Sequence, residues 1–536
     1  MDLFDYVIVG AGTAGSLLAY RLSEDGKNTV CVLEAGPPDR NPYIRIPAGF
    51  TKIIHDPSVT WEFHTEQSPT INGRQIRIPQ DRTLGGSSAI NGMVYNRGHS
   101  SDYDSWAQLG NRGWSYSDIL PYYKRNERRI GSGDDEFRGR SGRLPVTTPR
   151  WDHPLLDALL ESAVQIGIER NSDYNGREFG GAGLYQDAIY RGRRVSSAHA
   201  YLHPAMSRRS VSVRTGVQVT RILIENGRAT GLRYVPYATR EGIEPIEVKA
   251  RKAVIVSAGT VNSPKLLQLS GIGPGALLRD HGIDVVRELK GVGENLHDHY
   301  GARMVSRVKN TDSINTRAKG LRLYWEVIKW LCGGQSVVGM GPATVHAFGK
   351  CDPAAEMPDF VLLCTPGSFK QGLTDLDDFP GVTIGAYPMR PESAGSVRIV
   401  STDPRQAPAV QPNYLSSPTD QRLAIAAAKT ARQLMMAPAM KQYFSSELVP
   451  GFQVQSDAEW LEFVRNNGTS SFHLTGTCKM GPAEDAGAVV DSRLRVHGME
   501  ALYVVDASIM PRPTSSNTCA PTMMIAEKAS DMILAA

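Results

Sequence analysis

Cysteine is scarce in this chain, six in 536 residues. Cys31, Cys332, Cys351, Cys364, Cys478 and Cys519 form no CxxC pair and follow no spacing of a disulfide framework or a zinc site, so a reducing compartment is expected. An excess of either charge is also missing. The formal net charge is +4 with 21% charged residues, which excludes a nucleic-acid-binding composition, and the basic runs at 124–129 and 191–194 read as solvated faces. No window holds about 18 uninterrupted apolar residues, so no membrane-spanning helix is expected. The apolar stretch DYVIVGAG begins at Asp5, with no charged leader or cleavage site before it, and a cytoplasmic location is expected. Solenoid repeats and low-complexity tracts are absent.

What is present begins with a βαβ unit. YVIVG is an apolar strand, GAGTAG a glycine turn, residues 14–22 a helix, and NTVCVLE a second buried strand. Parallel strands joined by a helix predict a doubly wound α/β sheet. AVIVSAG (Ala253 to Gly259) and ALYVVDAS (Ala501 to Ser508) supply further buried strands far along the chain. One sheet fed by distant segments requires a second domain inserted between them. The expected division is a dinucleotide-binding domain at 1–150, 191–300 and 467–536, with a substrate domain at 151–190 and 301–466, where the βαβ rhythm fades and proline and glycine multiply.

The glycines of GAGTAG, Gly10, Gly12 and Gly15, permit a tight turn and let backbone N–H groups approach a pyrophosphate at a helix N-terminus. Glu34 ends the second strand, where a carboxylate accepts hydrogen bonds from a ribose diol and repels the 2′-phosphate of NADP. FAD and NAD both remain open on this evidence. DRTLGGSSAINGMVYNRG (Asp81 to Gly98) is a second glycine-serine turn suited to wrapping a flat ring. SAGTVNSPKLLQLSGIG and VVDASIMP bring backbone and carboxylate to a ligand twice more.

These stretches, with RVSSAHAYL, GVGENLHDH, FHLTGTCKMG and SSNTCAPTMMIAEKA, resemble the glucose-methanol-choline oxidoreductases over the length from Tyr6 to the last helix. The pattern is most similar to the bacterial branch of choline, polyethylene glycol and alkanol dehydrogenases. The resemblance implies a Rossmann-like FAD domain with an inserted domain of antiparallel sheet and helices, and FAD-dependent oxidation of an alcohol. It places the catalytic pair on His473 and Asn517. The implied cofactor contacts are Gly10, Gly12, Thr13, Ala14, Gly15, Glu34 and Ala35, then Leu84, Gly85, Gly86, Ser87, Asn91, Gly92, Met93 and Val94, and finally Val219, Ala258, Gly259, Phe472, Asp506, Ala507, Asn517 and Thr518. A neutral imidazole suits removal of a hydroxyl proton, and an amide can orient the same oxygen.

Departures from the family pattern refine the expectation. Relatives that tether FAD do so through a histidine where this chain has Ile90, so noncovalent FAD is expected. Asp81 replaces a usual Gly or Ala without obvious cost. A glutamate that meets trimethylammonium in the choline branch aligns with Thr344, which favours a neutral primary alcohol over choline. Oxygen and a quinone-type acceptor stay open, with an acceptor dehydrogenase preferred, and so does the oligomeric state. The family also contains lyases and a photodecarboxylase, and a catalytically silent flavin-binding protein is a third alternative. His297, Asp298 and His299 read as structural and not as metal ligands, and Cys478 and Cys519 as small buried thiols. LRLYWEVIKWL (Leu321 to Leu331) reads as a helix packed over the inserted domain, with peripheral contact to a membrane surface as the other reading.

Overall fold

The computed structural model describes residues 2–149, 151–238, 244–370 and 374–536. Two sheets organise them, each with its own hydrophobic core. In the first, the strand order is Val211–Thr215, Val30–Glu34, Asp2–Val9, Ile246–Val256, Arg228–Pro236 and Val217–Glu225, and Leu502–Val504 pairs with the C-terminal half of Ile246–Val256. The Asp2–Val9, Val30–Glu34 and Val211–Thr215 strands run parallel, as the βαβ pattern predicts. Every residue of VCVLE is buried, as in a strand covered on both faces. The helix Thr13–Leu22 lies against the C-terminal helix Cys519–Leu534, with Arg21 donating to the buried Glu527 at 2.9 Å.

The second sheet is antiparallel, in the order Phe444–Val449, Tyr300–Val308, Gly381–Pro388, Phe360–Thr365, Val345–Gly349 and Gly181–Leu184. Thr469–Ser470 pairs with the start of Tyr300–Val308 and leads into the loop of His473. The long helix Pro418–Met436 packs on one face of this sheet. Its inward residues Ala424, Ala427, Ala428 and Ala431 recur at helical spacing and let it approach closely. The opposite face, carrying Arg303, Leu363, Thr383, Gly385 and Tyr387, looks onto a cavity whose other wall is the dinucleotide sheet.

The segment LRLYWEVIKWL forms the helix Gly320–Leu331. Glu326, Val327 and Trp330 face the protein, while Leu321, Tyr324, Trp325, Ile328 and Leu331 point outward.

Candidate active site

The cavity holds about 400 Å³ and runs between the two sheets. Its floor is made where the two glycine turns meet. Gly86, at φ +57°, lies so close to the first turn that a Cβ there would come within 2.4 Å of the Gly12 Cα and 2.9 Å of the Thr13 nitrogen. Gly10, at φ +90°, leaves a Cβ no room beside the Ser257 carbonyl oxygen, 2.5 Å away. The helix Thr13–Leu22 opens onto this floor with no side-chain cap on its first N–H groups. Free N–H donors at a helix start, reached only past glycine, fit the pyrophosphate of a dinucleotide.

Of the expected cofactor contacts, all line the cavity except Gly15, Leu84 and Gly85. Those three stand behind the wall. Gly15 packs helix against strand, a Cβ there falling 2.0 Å from the Gly10 carbonyl oxygen. Leu84 is buried in the core, and Gly85, at φ +99°, holds the second turn by donating its N–H to the Ala11 carbonyl at 2.8 Å. Glu34 accepts from the backbone N–H groups of Ala11 at 2.8 Å and Gly36 at 2.7 Å, and burial raises its pKa. Asp506 accepts from Gly259 N–H, the Ser263 hydroxyl and Ser508, so it also ties two strand ends together at the cavity edge.

Asp81 lines the cavity, and both its carboxylate oxygens are buried without a hydrogen-bond partner among the described residues; burial, with Glu34 nearby, pushes its pKa well above the usual carboxylate range. Thr344 does not stand where the alignment put it. Its hydroxyl donates to the Cys364 carbonyl at 3.2 Å and it does not line the cavity; its neighbour Ala343 does.

His473 and Asn517, 44 residues apart in sequence, meet at the cavity: Asn517 Nδ2 and His473 Nε2 are 3.0 Å apart. A third residue fixes their proton positions. His299 Nε2 is 2.7 Å from the Met389 carbonyl oxygen, which can only accept, so that nitrogen carries a hydrogen. Burial lowers the pKa of His299 to about 4, so its Nδ1 keeps a lone pair at neutral pH. That lone pair faces His473 Nδ1 at 3.0 Å, and His473 must donate there. His473 Nε2 is therefore bare and accepts from the Asn517 amide. Burial, and then the proximity of His299, hold the His473 pKa well below its ordinary value. The arrangement is a neutral base with a fixed tautomer and one lone pair turned to a cavity.

The middle member of the HDH stretch sets the loop. Asp298 accepts from the His473 backbone N–H at 2.8 Å, the Tyr414 hydroxyl at 2.6 Å and the Ser470 hydroxyl, while burial raises its pKa to about 6. Phe472, the residue before His473, has φ +64°, a conformation that costs energy for a non-glycine residue and is held here by its N–H bond to Ser470 Oγ at 2.7 Å. His299 and Asp298 thus hydrogen-bond to His473, a partner that the sequence reading of them as structural did not name. The signal was present in HDH, but only the pairing of Tyr300 with Ser470 reveals what it faces. Among the described residues, the one grouping of possible metal ligands is instead Asp39, His199 and His203, where His203 Nε2 already lies 3.0 Å from Asp39 Oδ1.

Arg303 was also not foreseen. It faces the cavity opposite Gly385, two residues along the strand from Tyr387, whose ring lies 6.2 Å from that of His473. Among the described residues its guanidinium has no hydrogen-bond or ion-pair partner, and burial lowers its pKa to about 10. The carboxylates that line the cavity are Glu34, Asp81 and Asp506, none of them on the inserted sheet.

Models of the GMC oxidoreductase family match residues 4–301 and 391–526. The oxygen-dependent choline dehydrogenase of Brucella anthropi is 40% identical over 537 aligned residues, covering 99% of this chain and 95% of the relative. That of Rhizobium etli is 39% identical over 533, with the same coverage. Among solved structures, pyridoxine 4-oxidase from Mesorbium loti superposes with a TM-score of 0.87 at 31% identity, covering 98% of each chain. A formate oxidase superposes at 0.92 and 26%, covering 100% of this chain and 98% of the other.

Proposed function

The chain belongs to the GMC oxidoreductases, and from that premise we propose that it oxidises a neutral primary alcohol to the aldehyde, with His473 as base and Asn517 orienting the hydroxyl. Membership makes it an FAD-dependent enzyme acting on CH–OH donors, with a small-molecule alcohol as substrate and oxygen or another electron acceptor. A quinone-type acceptor is the finer reading, carried by the dehydrogenase branch of the resemblance. When bound, FAD supplies the hydride acceptor at its N5 position.

The observation that carries the mechanism is the chain of hydrogen bonds from Met389 through His299 to His473, which leaves Nε2 bare at the cavity. An alcohol hydroxyl that replaces the 3.0 Å contact between Nε2 and the Asn517 amide, the two groups separating to admit it, donates its proton to the first and accepts a hydrogen bond from the second. As His473 takes the proton its Nδ1–H keeps His299 as an acceptor, so the imidazolium, which burial disfavours, retains one hydrogen-bond partner in the cavity wall. Positioned general-base catalysis of this kind contributes roughly 100-fold to 10,000-fold. Orientation by Asn517 keeps the hydroxyl aligned without competing for its proton.

Arg303 supports the neutral class. A quaternary ammonium finds no carboxylate among the cavity-lining residues of the inserted sheet and meets there a cation without a partner among the described residues. Guanidinium N–H donors suit an ether, hydroxyl or carbonyl oxygen of the substrate. Noncovalent FAD rests on Ile90, which is buried among Ile44, Ile53 and Val59 and offers no nucleophile.

The test is anaerobic mixing with a panel of aliphatic, aromatic and polyether alcohols, followed by flavin absorbance in a stopped-flow instrument. Bleaching by neutral alcohols and not by choline is expected. His473→Ala should retain FAD and lose at least about 100-fold in the reductive rate, with Asn517→Ala losing less. A flavin that no alcohol bleaches would leave the lyase or the silent flavin-binding protein, and a near-normal rate in His473→Ala would sink the mechanism.

A further inference from the structure

The helix Gly320–Leu331 presents its apolar face to solvent. Leu321 is 80% exposed, Tyr324 71%, Trp325 65%, Ile328 47% and Leu331 64%. Their spacing puts them on one stripe. An amphipathic surface helix ordinarily buries that stripe, and here the polar side is the one fastened to the protein. Glu326 is buried and paired with Lys329, and accepts from the Val337 N–H at 3.1 Å; Ser336 Oγ donates to the Glu326 carbonyl at 2.7 Å. Trp330 Nε1 donates to the Gly192 carbonyl at 2.6 Å. The orientation is thus fixed from below, and the stripe is held outward.

Charge selects the occupant. Arg322 and Lys329 stand along one edge of the stripe, and the helix's single acid, Glu326, is turned inward. Arg317 and Lys319 lie just before the helix, partnered by Asp312 and Asp378. Tyr and Trp among the aliphatic residues are the types that settle at the boundary between headgroups and acyl chains. No helix of the described residues is long and apolar enough to cross a membrane. We infer that the helix Gly320–Leu331 is a peripheral docking element that lies in the interface of an anionic phospholipid bilayer, apolar stripe inward and basic edge against the headgroups. The chain passes from this helix through Val337–Gly339 to Pro342 and Ala343 in the cavity wall, so docking brings that wall toward the bilayer.

The FAD-loaded full chain is to be floated with vesicles of phosphatidylcholine containing about one-third phosphatidylglycerol, and with pure phosphatidylcholine. Binding to the anionic vesicles, weakened by salt, is expected. The double variant Leu321→Glu, Trp325→Glu should bind roughly 100-fold more weakly or worse, having lost two of the large apolar anchors. Both residues are exposed, so folding, FAD content and turnover of a water-soluble alcohol should stay as in the parent, and failure of the vesicle arm is distinguishable from failure of the proposed reaction. Equal flotation of parent and variant overturns the inference, as does no flotation of the parent. Light scattering on both proteins adds a further outcome: a dimer abolished by the same substitutions, with no vesicle binding, assigns the stripe to a second copy of the chain and overturns it too.

Discussion

Replacing His299 with Phe isolates the hydrogen bond that sets the base. The change keeps a flat ring stacked against Tyr387, now 5.1 Å away and 24° from parallel, and removes both nitrogens. Two polar groups lose their partners: the Met389 carbonyl and, more important, the Nδ1–H of His473. Leaving one buried donor unsatisfied costs about 1–3 kcal/mol. If that cost falls on the state in which His473 is aligned to accept a proton, the reductive rate drops roughly 5-fold to 160-fold, at about 1.36 kcal/mol per decade. Substrate affinity should barely change, because His299 acts through His473 and its own ring nitrogens point elsewhere. Stopped-flow flavin reduction at several alcohol concentrations separates the limiting rate from the apparent dissociation constant. His299→Gln is the matching control. Its amide can donate to the carbonyl and accept from His473, so part of the rate should return. A Phe variant with bound FAD and a limiting rate within about twofold of the parent would refute the tautomer argument.

Acidity should reveal Asp298 before His473. Burial and His299 hold the His473 pKa well below the ordinary histidine value of about 6.5, so the base stays unprotonated and competent as pH falls through that value. Asp298, raised to about 6, takes up a proton first; an inflection of the reductive rate near there, abolished in Asp298→Asn, is the expected profile. Gly86→Ala should fold and lose most of its FAD, because the new methyl collides with Gly12, whereas Gly26→Ala, where nothing lies within 4 Å, should keep FAD and lose only the roughly 1–2 kcal/mol of a left-handed residue in a denaturant titration. Acid precipitation should leave all yellow colour in solution, since Ile90 offers no attachment point; pigment in the pellet would contradict noncovalent binding.

The parallel sheet was legible in the sequence because its signals are local. YVIVG and VCVLE are apolar runs short enough to be strands and bounded by glycine, and the structure pairs them side by side. The meeting of His473 and Asn517 was legible through the family resemblance and not through spacing. His299, Arg303 and the outward stripe of the helix Gly320–Leu331 were not legible, for a common reason: each depends on which residues lie across a strand pair or beneath a helix. Arg303 in YGARMVSRV is one basic residue among two, and only its register opposite Gly385 turns it to the cavity. The amphipathic period of LRLYWEVIKWL was plain, but periodicity fixes the faces of a helix and not which face meets the protein. The buried Glu326 decides that.

The first sheet is closed from both ends of the chain. Leu502–Val504 enters it beside Ile246–Val256, and the helix Cys519–Leu534 covers the helix Thr13–Leu22, whose start forms the cavity floor. During synthesis, the first glycine turn must therefore wait for residues 502–534 to leave the ribosome before its helix is packed. Contacts this distant in sequence are slow to form. FAD capture is in consequence a late event in the life of the nascent chain, and a chain broken off before Cys519 carries the whole dinucleotide fingerprint without the helix that covers it.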